Sequence, residues 1–155
     1  EEDSVFTLDT TQIKGVDSTI RETHVEMGAG SKLYVMEKLM THGNQQAISN
    51  MDVQLNGEES SAQIISRSVA KDTSTQVFIE AIGNALCHAH VQCDSIIMDD
   101  AKISSIPEIN ANHVDAQIIH EAAIGRINND QLIKLRTFGM TGEEAEAVII
   151  EDFLK

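Results

Sequence analysis

The chain contains no tryptophan, one tyrosine and one proline, and aromatic residues make up only 3% of its 155 positions. A core built around large aromatic side chains is therefore not expected, and Ile, Val, Leu and Ala are expected to fill the interior. Basic residues are also scarce, with 11 Lys and Arg against 25 Asp and Glu and a formal charge of −14. This charge argues against binding to nucleic acid or to an anionic membrane surface.

Long apolar runs and cysteines are few as well. No run approaches the roughly 18 apolar residues of a transmembrane helix, and the N-terminal EEDSVFTLDT lacks the regions of a signal peptide. We therefore predict a cytoplasmic location. The two cysteines, Cys87 and Cys93, could pair in principle, but without a sign of secretion we expect thiols.

What the sequence does contain is a regular series of short alternating runs typical of half-buried strands. They start about 13 to 15 residues apart and read TIRETHVEM, KLYVMEKLM, AISNMDVQL, AQIISRSVA, TQVFIEAIG, CHAHVQCDSII, AKISSIPEI and AQIIHEAAI. Such spacing fits either an antiparallel sandwich or a β-solenoid. Strong hairpin turns are nearly absent, with one Asn-Gly at Asn56-Gly57, and this favours a solenoid with two strands and about 27 residues per coil.

The pattern becomes helical from Gly125 onward. Asn128 with Gln131, and Thr141 with Glu144, are candidate capping boxes for two short helices separated by Gly139. We therefore divide the chain into a β-helix core at 1–124 and a C-terminal helical segment at 125–155. The helices are expected either to cap the open end of the solenoid or to dock a partner.

The stretch ALCHAHVQCDSIIMDD holds both cysteines and two histidines. Side chains alternate between the faces of a strand, so His88 and His90 should point away from the side that carries Cys87 and Cys93. The C-x5-C spacing also lacks the short knuckle of a structural zinc site. A self-contained zinc centre is therefore not expected.

A longer spacing links Cys93 to His120, 27 residues further on and about one coil away. Equivalent positions in successive coils stack about 4.8 Å apart, so the two side chains are candidates to share an iron or copper ion. Glu121 should face the opposite side unless a bulge intervenes. The alternative is that Cys93 is a small buried hydrophobe and His120 an ordinary satisfied polar residue.

Other chemistries lack their motifs. The chain has no P-loop, no G-x-S-x-G and no H-E-x-x-H, since Ile124 stands where the second histidine would be. MGAGSK lies between two strands and is predicted to be a turn, while His24, His42 and His113 are predicted to be surface residues.

The C-terminal half resembles the SufB/SufD family, the β-helix subunits of the SUF iron–sulfur cluster assembly machinery. The resemblance covers roughly residues 81–155 and follows the order of five short motifs: Gln92-Cys93-Asp94-Ser95, Pro107-Glu108, His120-Glu121-Ala122, Gly125-Arg126-Ile127 and Asp130-Gln131-Leu132. QCDS together with HEA is more similar to SufB than to SufD.

The resemblance implies a mainly β protein, a right-handed parallel β-helix followed by two short helices, that acts as a scaffold and not as an enzyme. It implies that residues 130–155 bind a SufC-like ATPase and that two subunits pair through their β-helices, as a homodimer or a SufB/SufD-type heterodimer. Cys93, His120 and Glu121 would bind iron and a transient iron–sulfur cluster at that junction, with no cofactor held tightly at rest.

The sequence also departs from the family pattern. It lacks the N-terminal helical region and any cysteine upstream of Cys87, and Phe138-Gly139-Met140 replaces the usual Arg-Gly-Ile. A fragment or a reduced paralogue is therefore expected. Two alternatives from other classes are a β-solenoid enzyme that uses His120 and Glu121 as an acid–base pair, and a purely structural β-helix.

Overall fold

The structure is a computed structural model that describes residues 1–13, 15–82 and 84–155, without the side chains of residues 78–82. The described residues form nine strands and two helices: β1 (Val5–Gln12), β2 (Ser18–Met27), β3 (Lys32–Thr41), β4 (Gln46–Leu55), β5 (Ser60–Ala70), β6 (Thr75–Ile82), β7 (Cys87–Ile97), β8 (Lys102–Ile109), β9 (Gln117–Gly125), α1 (Asn129–Thr137) and α2 (Gly142–Phe153). Gly83, the last residue of one predicted run, lies outside the described residues.

The strands alternate between two parallel sheets, as a solenoid with two strands per coil requires. The odd-numbered strands form sheet A in the order β1-β3-β5-β7-β9, and the even-numbered strands form sheet B in the order β2-β4-β6-β8. The predicted β-solenoid is thus confirmed, and the antiparallel sandwich is wrong. The predicted runs match eight strands closely, but β1 was not among them.

Coil length varies along the solenoid, which matters for the position of every candidate residue. Val5 of β1 pairs with Lys32 of β3, a step of 27 residues, whereas Lys32 pairs with Ser61 of β5, a step of 29. Residues therefore stack by register and not by a fixed sequence interval.

Alternate residues of each strand point into the solenoid, where they stack in ladders that fill the core without large aromatic side chains. The inward ladders of β3, β5, β7 and β9 are Leu33–Ala62–Ala89–Ile118, Val35–Ile64–Val91–His120, Glu37–Ser66–Cys93–Ala122 and Leu39–Ser68–Ser95–Ile124. Most of the members on β3, β5 and β7 are buried.

An asparagine ladder supports one corner of the solenoid. The Asn84 side-chain amide donates to Asn56 Oδ1 at 3.0 Å, and the Asn112 amide donates to Asn84 Oδ1 at 2.5 Å. The three residues are 28 positions apart, so each amide side chain satisfies the next coil's turn. This even spacing is visible in the sequence and is a signal of the coil that the strand pattern did not use.

Both helices begin at the predicted caps. Asn128 Oδ1 accepts from the Asp130 amide at 2.9 Å, and Thr141 and Glu144 form the complete capping box. Within the described part of the chain, neither helix is long and apolar enough to cross a membrane.

The helices lie on the flank of the solenoid and do not cover its last coil. Ile150, Phe153 and Leu154 pack with Val69 and Met98, and with the partly buried Met40, Ile96 and Ile127. Met40, Val69 and Ile96 are register partners on successive strands of sheet A and point outward. Helix α2 therefore runs across successive coils, and the expectation of a cap over the open end is wrong.

Candidate functional site

Strand β7 separates the two cysteines from the two histidines between them. The strand is continuous from Cys87 to Ile97, and its residues alternate between buried and more exposed positions. Cys87 and Cys93 are both buried thiols, whereas His88 is exposed and His90 is partly exposed. The predicted opposite orientation of thiols and imidazoles is therefore what the structure shows.

Strand β9 brings His120 to the same side of the sheet as Cys93. His120 is half-buried and inward, while Glu121 is exposed and outward. The pairing of β7 with β9 runs one-to-one from His88 opposite Gln117 to Ile96 opposite Gly125, so no bulge interrupts the alternation. Cys93 and His120 therefore share the interior, and Glu121 does not.

The two inward residues are diagonal neighbours and not direct register partners. The last step in sheet A is 29 residues, from His88 to Gln117, so Cys93 lies opposite Ala122 and His120 lies opposite Val91. A strand spacing of about 4.8 Å and a displacement of two residues put the two Cα atoms about 8 Å apart. The predicted direct stacking fails because this coil is longer than 27 residues, but both side chains still point into the same end of the solenoid.

Glu121 belongs to a separate group on the outer face of sheet A. Its Oε2 atom lies 3.6 Å from Nε2 of His90, and the side chains are 62% and 40% exposed. Gln92, between the two in register, donates to Asp94 Oδ2 at 2.7 Å. The three residues proposed as ligands are thus divided between an inner pair and an outer carboxylate.

A buried polar group lies on the same inward ladder as Cys93. Glu37 is only 2% exposed, pairs with Arg21, and accepts from Ser49 Oγ at 2.8 Å and from Ser66 Oγ at 3.2 Å. Ser66 is the register partner of Cys93 in the next coil. Buried charges persist where they are paired and hydrogen-bonded, as here.

The sequence analysis missed this group although β3 carries a signal for it. Glu37 occupies an inward position between Val35 and Leu39, where the alternation calls for an apolar residue. A carboxylate at such a position predicts a buried cation, and Arg21 supplies it from the other sheet.

The other inward cysteine is in an apolar environment. Burial raises the pKa of the Cys87 thiol, and the contact with the Ala85 backbone opposes this shift only in part. A thiol with a raised pKa is a weaker nucleophile and metal ligand at neutral pH. Cys87 is therefore a poorer candidate than a cysteine at the open end.

Ligands for a metal ion are limited within this chain. Among the side chains that the structure describes, no group of three or more His, Cys, Asp or Glu is arranged to hold a metal ion. An iron ion bound by Cys93 and His120 would therefore need ligands from sulfide, water or another chain.

Sheet A and sheet B both end near His120. In the described part of the chain, β9 pairs only with β7 and β8 pairs only with β6. Ile119 and Ile124 of β9 are 56% and 46% exposed, and Ile106 and Ile109 of β8 are 47% and 42% exposed. Unpaired edges with exposed apolar side chains are surfaces on which another chain can add.

The fold and this arrangement define a two-sheet parallel β-solenoid with a thiol and an imidazole at its open end. Comparison with known proteins gives the family. The model of the SufBD core domain of SUF system FeS cluster assembly matches residues 1–153. The match extends upstream of the motifs at 81–155 and covers almost all of the sequence.

Curated relatives agree with this match. The chain is 32% identical over 103 residues to an iron-sulfur cluster assembly SufBD family protein of Methanothermobacter thermautotrophicus, covering 64% of this chain and 25% of that protein. It is 36% identical over 102 residues to one of Pyrococcus horikoshii, covering 64% of this chain and 31% of the relative. It is 27% identical over 161 residues to one of Synechocystis, covering 92% and 34%.

The chain belongs to the SufBD family of iron–sulfur cluster assembly proteins. It spans about a quarter to a third of the length of these curated relatives. Their names do not divide SufB from SufD, so the greater similarity to SufB stays a prediction.

Proposed function

We propose that this chain is a scaffold module for iron–sulfur cluster assembly, with Cys93 and His120 as its ligands for iron and sulfide. The single observation that carries this proposal is that both residues face the interior at the open end of the solenoid. Thiolate and imidazole are ligands that iron accepts in clusters. The cluster is cargo that forms and leaves, and no step of chemical catalysis is assigned to the chain.

A second subunit is part of the proposal because this chain supplies few ligands. The unpaired edges of β8 and β9 lie beside His120, so a second β-solenoid that adds there would bring its own ligands to Cys93 and His120. Either a second copy or a SufB/SufD-type partner satisfies this requirement. Glu121 would then act from the outer face, as an oxygen ligand at the rim of the junction or as an orienting group.

The helical segment at 130–155 is the proposed docking surface for a SufC-like ATPase. Three large apolar side chains of this segment remain exposed: Ile133 at 57%, Phe138 at 75% and Val148 at 42%. Apolar side chains in a polar setting are typical of a protein interface. Because α2 packs across successive coils, a force on the helices would be transmitted to the solenoid. The cytoplasmic location expected from the composition belongs to the same proposal.

The enzymatic alternative finds less support. A His120–Glu121 acid–base pair requires both side chains to reach one substrate, but the two side chains lie on opposite faces of β9.

The proposal is tested by anaerobic addition of ferrous iron and sulfide, followed by visible absorption. Wild-type protein should develop sulfide-to-iron charge-transfer absorption, and Cys93→Ser and His120→Ala should each lose it. Cys87→Ser is the matched control, because it removes an inward thiol from the same strand. Equal absorption in the wild type and Cys93→Ser would refute the assignment of Cys93.

A further inference from the structure

An exposed imidazole on the outer face of sheet B lies between two carboxylates. His24 Nδ1 is 2.7 Å from Asp52 Oδ2, and His24 Nε2 is 3.3 Å from Glu26 Oε1. His24 and Asp52 are register partners on β2 and β4, and Glu26 follows His24 on the same face of β2. The parallel ladder therefore fixes all three side chains on one surface.

The hydrogen-bond inventory of this group requires a cation. A neutral imidazole has one N–H, and the shorter contact places it on Nδ1, where it donates to Asp52. The Nε2 lone pair then faces a carboxylate oxygen of Glu26 at 3.3 Å, which is repulsive unless a proton or a metal ion lies between them. Both carboxylates raise the pKa of His24 by hydrogen bonding, Glu26 most strongly.

The same geometry matches two adjacent ligands of a small divalent ion. Metal–nitrogen and metal–oxygen bonds of about 2.0–2.2 Å in a tetrahedral site separate neighbouring ligand atoms by about 3.3–3.4 Å. The observed separation of Nε2 and Oε1 is 3.3 Å. Asp52 occupies the position of the carboxylate that orients a metal-binding histidine through its other nitrogen. The Gln54 amide donates to the same Asp52 oxygen at 3.3 Å and holds it in place.

We propose that His24 and Glu26 bind a first-row divalent cation, such as Zn²⁺ or Co²⁺, with Asp52 as the orienting group. Water completes the coordination, in keeping with the absence of a three-residue ligand group among the described side chains. The formal charge of −14 favours accumulation of cations at the surface. This site lies on the other sheet from Cys93 and His120, and it stands whether or not those two residues bind iron.

The test is site-resolved titration of the whole chain by NMR. Zn²⁺ should shift the side-chain nitrogen resonances of His24, and paramagnetic Co²⁺ should first broaden the amide signals around His24 and Asp52. His24→Gln should abolish both effects, and Asp52→Asn should weaken binding about 10–100-fold, as loss of an orienting carboxylate does. His42→Gln is the matched control because it removes an exposed histidine from a turn.

Two results would overturn the site. One is Zn²⁺ that leaves the His24 resonances unchanged up to millimolar concentration, which would mean that only a proton occupies the position. The other is binding in His24→Gln that equals wild-type binding, which would place the metal elsewhere. Loss of binding in His42→Gln would likewise contradict the assignment. All substituted side chains are exposed, and circular dichroism verifies that each variant is folded.

Discussion

Gly57 is the position where the stacking of coils leaves least room for a side chain. A Cβ atom added there would lie 2.0 Å from the Ala29 nitrogen and 2.1 Å from the Gly28 carbonyl carbon. Both are backbone atoms of the preceding coil, so no side-chain rotation can relieve the overlap. Ordinary van der Waals contact begins near 3.4 Å, and the corner would have to open by more than 1 Å. The Gly57 amide also donates to Met27 O at 3.1 Å, a hydrogen bond that this movement would stretch.

We therefore expect Gly57→Ala to destabilise the chain by about 3 kcal/mol, the upper part of the usual range for overpacking. For a domain of this size such a loss lowers the midpoint of thermal unfolding by about 6–12 °C. Gly125→Ala is the matched control, because nothing lies within 4 Å of its added Cβ. Thermal unfolding followed by circular dichroism compares the two. A midpoint for Gly57→Ala within about 2 °C of the control would refute the described packing of the corner.

Three further predictions address the docking surface, the buried carboxylate and the capping box. Phe138→Asp should weaken capture of a SufC-type ATPase in a pull-down, whereas Val114→Asp, at a 95% exposed turn position, should not; equal loss in both would deny the helices a specific role. Glu37→Ala should cost about 3 kcal/mol in urea unfolding because Arg21 keeps its charge without its buried partner, and a loss below about 1 kcal/mol would show that solvent compensates Arg21. Hydrogen bonds from Thr141 lower the pKa of Glu144 from 4.5, so its contribution to helix stability is present above 4.5 and is lost as pH falls through the lower folded value. The Thr141 amide resonance should report that titration, and the same titration in Glu144→Gln would contradict it.

Much of the fold was predictable from local sequence because the solenoid repeats one simple pattern. The alternating runs, the scarcity of hairpin turns and the lack of aromatic residues indicated two-strand coils, and the capping residues at 128 and 141 located both helices. Strand β1 was missed because only Phe6 and Leu8 of its inward positions are large and apolar, before Thr10 and Gln12. Pairing with β3 stabilises this strand, and that contact is not visible in local alternation.

The candidate site was predictable in its faces but not in its register. Parity alone placed Cys93 with His120 and set Glu121 apart. A two-residue change in coil length then displaced His120 from Cys93 along the strand, because turn geometry sets the register and the strand pattern does not. The carboxylates around His24 were missed for a related reason: Asp52 reaches His24 only through the β2–β4 pairing, and His24 alone gave no indication of a partner.

The packing of the helices was also beyond the sequence pattern. An amphipathic helix shows which of its faces is apolar, but not which surface that face covers. The outward apolar residues at Met40, Val69 and Ile96 break the strand alternation in register, and together they form the strip on which α2 lies. These positions are recognisable only when the strands are aligned by coil.

The central claim is that Cys93 and His120 act as one iron site. The most direct measurement is iron bound per chain after anaerobic loading and desalting, in the wild type, Cys93→Ser, His120→Ala and the double variant. Because both ligands would hold the same ion, each single substitution should reduce bound iron to the level of the double variant. Independent partial losses that add in the double variant, or wild-type iron content in either single variant, would contradict the account.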